Sequence, residues 1–336
     1  MNHRKDDKVY LGADLGGTKL LLGIMTPDGK LLRTKKYCSG ALDQRQAMQL
    51  IEASVQDFLQ ERPENEPYPA AMGIGMVGRI DSEHGLWLEI DPKRCDELPV
   101  AVQMQKKFGI PCFIDNDVRS ATKAEMVYGI GRRSRNFIYI NVGTGIAAGI
   151  VTDGRLVVGG HCNAGEVGHT TSGLSLQVPC VCGRKNCVEP VASGLGLDIS
   201  ARQLAKEYPD TMLQIPADGT RVSVKEIFDL CDKDPLCTQL VDNAAQGVAN
   251  LVMNLVRITD PDAIVLGGGL MSDDVLFSKV MAYVDPYTVR FVTNGITLTK
   301  LAPDYIGVLG ACSNALLGLN EETEKEDLHE DHDCIG

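Results

Sequence analysis

Residues 8–37, KVYLGADLGGTKLLLGIMTPDGKLLRTKKY, decide how the chain folds. Residues 8–14 read as a buried strand, followed by a glycine-rich turn, Leu15-Gly16-Gly17-Thr18-Lys19. A second apolar run, 20–25, ends at Pro27-Asp28-Gly29, and a third strand covers 31–37. Three apolar runs separated by short turns predict a meander of antiparallel hairpins. The pattern restarts at residues 136–158, NFIYINVGTGIAAGIVTDGRLVV. There a strand at 136–142, the turn Gly143-Thr144-Gly145, a strand at 146–151, the turn Asp153-Gly154 and a strand at 155–158 follow in order. Few residues match between the two stretches, so the repeat is one of architecture.

The flanking segments supply helices and further strands. Met48, Ile51, Val55, Phe58 and Leu59 have helical spacing within 44–61. Residues 70–77 predict a strand ending at Gly78, and 100–108 a helix. A short strand, 111–114, runs into Asp115-Asn116-Asp117 and a helix over 118–128. Farther on, helices are expected at 194–206 and 238–258, and a buried strand at 263–266 meets Gly267-Gly268-Gly269. Residues 305–318 form a helix rich in small residues. The alternation marks an α/β chain. At 336 residues it is long enough for two lobes, expected to join through helix ends near 117–130 and 303–306.

Composition narrows the function classes. Apolar residues are 44% and charged residues 23%, an ordinary globular balance. The net charge of −12 opposes binding of a polyanion, so nucleic acid is not an expected partner. Apolar runs are too short to span a membrane, and the polar N-terminus has no signal-peptide core, so a cytoplasmic address is expected. Residues 321–336, EETEKEDLHEDHDCIG, hold eight carboxylates and one lysine and read as an acidic disordered tail. Eleven cysteines in such a chain do not suggest disulfides.

Several motifs could carry chemistry. The turn after Asp14 lets backbone N–H groups approach a phosphate, with the Thr18 hydroxyl and Lys19 ammonium adding donors. Asp14 at the strand end could face a hydrated Mg²⁺. Gly143-Thr144-Gly145 offers the same geometry, and the glycines at 267–269 let a flat base pack on backbone. In Asp115-Asn116-Asp117, a carboxylate could accept a proton from a substrate hydroxyl or simply cap the following helix. His169, Cys180, Cys182 and Cys187 make a closed one-nitrogen, three-sulfur zinc set of structural type, with Cys162 a competing fourth ligand. Glu166 and Glu189 flank that knot, and carboxylates grip sugar hydroxyls well.

Taken together, these residues resemble the ROK family (repressor, open reading frame, kinase) over about 8–318. The match runs through ADLGGTK at 13–19, GIGMVG at 73–78, DNDVRSATKAE at 115–125 and NVGTGIAAGI at 141–150. It continues through AGEVGH at 164–169, CVCGRKNCVE at 180–189, the glycines at 267–269 and GVLGA at 307–311. The resemblance implies two ribonuclease-H-like lobes of the actin/hexokinase/Hsp70 ATPase fold around a cleft. The lobes would be 1–118, completed by a helix at 304–320, and 119–303, which carries the zinc loop. It also implies transfer of the ATP γ-phosphoryl group to a hydroxyl, the 6-OH, of a hexose, glucose-like or N-acylated hexosamine. A catalytically inactive sugar-binding regulator is the alternative.

By matching position, Asp117 is the implied catalytic base, and Asn116, Glu166, His169 and Glu189 the implied sugar ligands. Asp14, Gly16, Gly17, Thr18 and Lys19 match the first phosphate motif, Gly143, Thr144 and Gly145 the second, and Gly267 and Gly268 the adenosine loop. Mg²⁺ with ATP, a structural Zn²⁺ and a homo-oligomer, dimer or tetramer, are implied as well. Two departures stand out. Asp115 replaces the family's usual Glu, and LWLEID at 86–91 lacks the Asn that normally helps hold the sugar. Only seven residues precede the first strand, which argues against a DNA-binding repressor.

Overall fold

The computed structural model describes residues 8–333 apart from Thr18, Ala41, 91–95 and Asp273, with backbone alone for 325–333. The chain begins with β1 (Tyr10–Leu15), β2 (Lys19–Met25), β3 (Leu31–Cys38) and α1 (Gln44–Gln60). It continues with β4 (Ala71–Met76), the ribbon β5 (Arg79–Asp81) and β6 (Leu86–Glu89), α2 (Val100–Phe108), β7 (Cys112–Asn116) and α3 (Asp117–Tyr128). The second pass runs through β8 (Phe137–Val142), β9 (Ile146–Thr152), β10 (Arg155–Leu156), α4 (Val188–Ala192), α5 (Gly194–Leu204), α6 (Val224–Asp229) and α7 (Pro235–Thr259). Then come β11 (Ala263–Gly267), α8 (Asp274–Tyr283), β12 (Ile296–Leu298) and the long α9 (Ile306–Asp333).

Two compact units result. The first takes the chain up to Arg132, Val158–Asn163 and everything from Asp304; the second takes Arg133–Val157 and Ala164–Pro303. Their sheets have the same order, β3-β2-β1-β4-β7 and β10-β9-β8-β11-β12. In each, the first three strands are antiparallel and the last two pairings parallel. This is the ribonuclease-H-like plan, and the architectural repeat is present in full. No described helix is long and apolar enough to cross a membrane.

In the first unit, Leu11, Leu22, Ile51, Phe58, Met72, Ile74 and Trp87 are all fully buried in one core. On its other face the sheet carries α9. A Cβ on Gly73 would lie 1.8 Å from the Ala311 carbonyl oxygen, and one on Gly12 2.5 Å from Cys312 Sγ. The glycines of β1 and β4 therefore let a helix backbone rest directly on the strands. The second unit's core joins Ile138, Ile140 and Leu266 of its sheet to Leu240, Ala244 and Val248 of α7.

Three boundaries differ from expectation. The helix at 117–128 belongs to the first unit, with the division after Arg132 instead of 118. Its reason is packing: α3 lies along α9, and a Cβ on Gly310 would sit 2.4 Å from Ser120 backbone. The expected strand at 155–158 stops at Leu156, because Val158–Asn163 passes to the first unit. The acidic stretch expected to be disordered continues α9 as far as Asp333. Its Glu, Lys and Leu residues favour helix, and extending a helix already nucleated costs little.

Candidate active site

In the first unit, the end of β7 and the start of α3 carry three polar residues with three separate jobs. Asn116 is the N-cap: its Oδ1 accepts from the backbone N–H of Val118 (2.9 Å) and Arg119 (3.3 Å). Its Nδ2 donates to the Gly78 carbonyl at 3.0 Å, leaving one amide hydrogen for another acceptor. The capping role considered for an aspartate thus falls to Asn116. Asp115 is 1% exposed and pairs with Arg119 Nε at 2.6 Å and Lys123 Nζ at 2.7 Å. Burial pushes its carboxyl up, but Lys123 and Arg119 outweigh that and hold it below the usual range. Asp117 opens α3, where its Oδ1 accepts from Val118 N–H at 2.9 Å and the helix N-terminus favours its negative charge.

The β1–β2 turn closes with Gly16 N–H donating to the Lys19 carbonyl at 2.9 Å. Thr18 lies outside the described residues. Asp14 stands at the end of β1, and burial pushes its carboxyl up to about 6 against the pull of Lys19. A Cβ on Gly307 would fall 2.5 Å from the Asp14 carboxyl carbon, so the first turn of α9 faces that carboxylate. Lys19 and a carboxylate at the turn's base fit a magnesium-bound phosphate. Trp87 is a fully buried core residue donating from Nε1 to the Val77 carbonyl at 3.2 Å. Near it, Glu89 accepts from Arg79 Nε at 2.9 Å.

In the second unit, the other two glycine turns come together. The β8–β9 turn closes with Gly143 N–H to the Gly145 carbonyl at 3.0 Å. Gly268 has φ +93°, and a Cβ there would lie 2.5 Å from the Val142 carbonyl oxygen, so only glycine fits beside the turn. Glu189 reaches the same place: its Oε2 accepts from Ile146 N–H at 2.9 Å, and a Cβ on Gly145 would come within 2.7 Å of it. The start of α5 adds Gly194 N–H to the Gly143 carbonyl at 2.8 Å. Glu189 therefore also braces the Gly143–Gly145 turn, a role its sequence position does not announce.

His169, Cys180, Cys182 and Cys187 present ligand atoms all within 4.8 Å of one another. Cys182 Sγ is 3.6 Å from Cys187 Sγ, and Cys180 Sγ is 3.4 Å from His169 Nδ1. Tetrahedral zinc with Zn–S of about 2.3 Å needs sulfurs roughly 3.8 Å apart, so the set fits that ion. Among the described residues the gathered set is these four, and Cys162 is not one of them. The backbone N–H and guanidinium of Arg184 pull the Cys182 thiol down to about 6, while burial pushes Cys187 up to about 12. With Nδ1 facing the thiols, His169 Nε2 points toward Glu166, 3.9 Å from its Oε2.

Asp14, Gly16, Gly17, Lys19, Asn116 and Asp117 thus gather in the first unit, and Gly143, Thr144, Gly145, Glu166, His169, Glu189, Gly267 and Gly268 in the second. The motif reading missed Arg119 and Lys123. Their four-residue spacing on the predicted helix that follows Asp115 was the available signal.

The ROK family model matches residues 10–316. The glucokinase of Halalkalibacterium halodurans is 28% identical over 318 residues, 90% of this chain and 94% of that protein. The N-acetylmannosamine kinase of Haemophilus influenzae is 27% identical over 313 residues, 90% of this chain and 93% of that protein. Among solved structures, the ROK hexokinase from Thermus thermophilus is 26% identical with a TM-score of 0.73, covering 93% of this chain and 99% of that one.

Proposed function

Because this chain belongs to the ROK family, we propose that it is an ATP-dependent hexose kinase. The reaction is in-line transfer of the γ-phosphoryl group to a sugar hydroxyl, the 6-OH, of glucose or an N-acylated hexosamine. Kinases for both sugar types stand among the relatives, and the altered 86–91 segment favours a pocket unlike that of an ordinary glucokinase. The observation that carries the assignment is the division of labour at 115–117. Asn116 caps α3 and Asp115 is committed to Arg119 and Lys123, so Asp117 is the carboxylate suited to take the hydroxyl proton.

Asn116, Glu166, His169 and Glu189 hold and orient the sugar. The turns Gly16–Lys19 and Gly143–Gly145 receive the phosphates, with Thr18 and Lys19 adding donors, and Gly267–Gly268 receives the adenosine. Positioning and charge stabilisation supply most of the rate in this chemistry. Magnesium, when bound with ATP near Asp14, neutralises charge developing on the phosphates. Zinc, when held by His169, Cys180, Cys182 and Cys187, has no open position and serves as a structural tie. A cytoplasmic homo-oligomer, dimer or tetramer, completes the proposal.

A coupled kinase assay over a panel of hexoses and N-acylated hexosamines tests it. Sugar-dependent ADP release with at least one hexose is expected. Tight sugar binding without ADP release would instead support the regulator, and glucose preferred by a wide margin would make the 86–91 departure irrelevant.

A further inference from the structure

A buried, fully engaged side chain in the first unit is not used by the proposed reaction. Arg119 is 3% exposed, and its three guanidinium nitrogens reach three different segments. Nε donates to Asp115 Oδ1 at 2.6 Å, Nη2 to the Ile80 carbonyl at 2.6 Å and Nη1 to the Cys162 carbonyl at 3.2 Å. One guanidinium thereby joins β7, α3, β5 and Val158–Asn163. Arg79 adds a second tie to the last of these, from Nη1 to the His161 carbonyl at 3.4 Å.

Charge alone does not explain this arrangement. Asp115 already has Lys123 as a partner, so a second buried cation is not needed to neutralise it. A buried ion pair is also weak grounds for stability, since apolar side chains of similar size often serve as well. What Arg119 adds is direction: a rigid fork holding two carbonyls that an ammonium could not reach together. Both stand near proposed sugar ligands, one through a hydrogen bond and one in sequence. Ile80 follows Gly78, whose carbonyl accepts from Asn116, and Cys162 stands four residues before Glu166.

We infer that Arg119 is a positioning residue for the sugar: it fixes Val158–Asn163 and β5 against the first turn of α3, and so sets where Asn116 and Asp117 stand. This rests on the kinase reading above. Lys123, by contrast, only neutralises Asp115.

The test compares Arg119→Lys with Lys123→Met in the full-length protein. Arg119→Lys keeps the charge on Asp115 but loses the fork. It is expected to raise the sugar KM about tenfold or more while the ATP KM stays within twofold, and to speed amide hydrogen exchange over 158–163 at least tenfold. Lys123→Met is expected to leave both KM values within twofold, though its melting temperature falls. Should Arg119→Lys not fold, the uncharged pair Asp115→Asn with Arg119→Gln replaces it, with the same expectation. Faster exchange with unchanged kinetics would overturn the inference, as would equal loss of sugar and ATP affinity. Wild-type protein that turns over no sugar brings down the kinase reading, and this inference with it, whereas an active wild type with a normal Arg119→Lys sugar KM brings down this inference alone.

Discussion

Two carboxylates in the first unit meet opposite demands. In the proposed reaction Asp117 accepts a proton, so Asp117→Asn keeps the shape and removes the base. Turnover is expected to fall by roughly a hundredfold or more with sugar affinity nearly unchanged, checked by steady-state kinetics beside calorimetric sugar binding. Near-normal turnover would end that role for Asp117. Asp14 carries a cost instead. Its carboxyl rises from an ordinary 3.8 to about 6 in the folded protein, so the folded state binds its proton more tightly than the unfolded one. Stability therefore falls as pH rises from 3.8 to about 6, and above that the whole cost is present, about 3 kcal/mol if the full shift is realised. Asp14→Asn is expected to melt higher than wild type at pH 7.5, to match it near pH 4, and to lose at least tenfold in turnover. Equal melting temperatures at pH 7.5 would show that the charge costs nothing.

At the scale of elements, the loop from His169 to Cys187 and the seat of α9 make separate predictions. Three thiols must ionise to bind zinc, and Cys187 is held up at about 12. Zinc binding therefore releases protons and tightens as pH rises through the neutral range. The tied loop holds Glu166 at one end and Glu189 at the other. Cys182→Ser should lower metal content and weaken sugar binding while ATP affinity stays within about threefold. Metal analysis with paired sugar and nucleotide titrations checks this. Protein with under about half an equivalent of zinc and full activity would leave the cysteines as packing. Under α9, Gly73→Ala would press a methyl onto the Ala311 carbonyl, a backbone atom that cannot swing away. A loss of about 3 kcal/mol or more is expected from urea unfolding, at or beyond the usual upper range for overpacking.

For the molecule as a whole, the last prediction concerns the acidic end of the chain. Residues 321–324 are exposed, so removal of 321–336 is expected to leave melting temperature and kcat/KM nearly unchanged. A drop of several degrees would assign α9's last turns a packing role. How far the sequence could be read follows the range of the forces involved. Hairpin turns, strand alternation and the spacing of glycines are local, so residues 8–37 and 136–158 by themselves determined the repeated half-fold. The one-nitrogen, three-sulfur set was legible because three of its four ligands lie within eight residues. Single residues within a motif were not. Nothing local says that Asn116 and not an aspartate caps α3, since all three are good caps. Nor does anything local send Asp115 to Arg119 and Lys123, place 158–163 beside β5, or turn Glu189 toward the Ile146 amide. Those choices depend on which backbone groups are left unpaired after strands and helices distant in sequence have packed. Buried donors, acceptors and charges must find partners in three dimensions, and only the tertiary structure decides which ones they find.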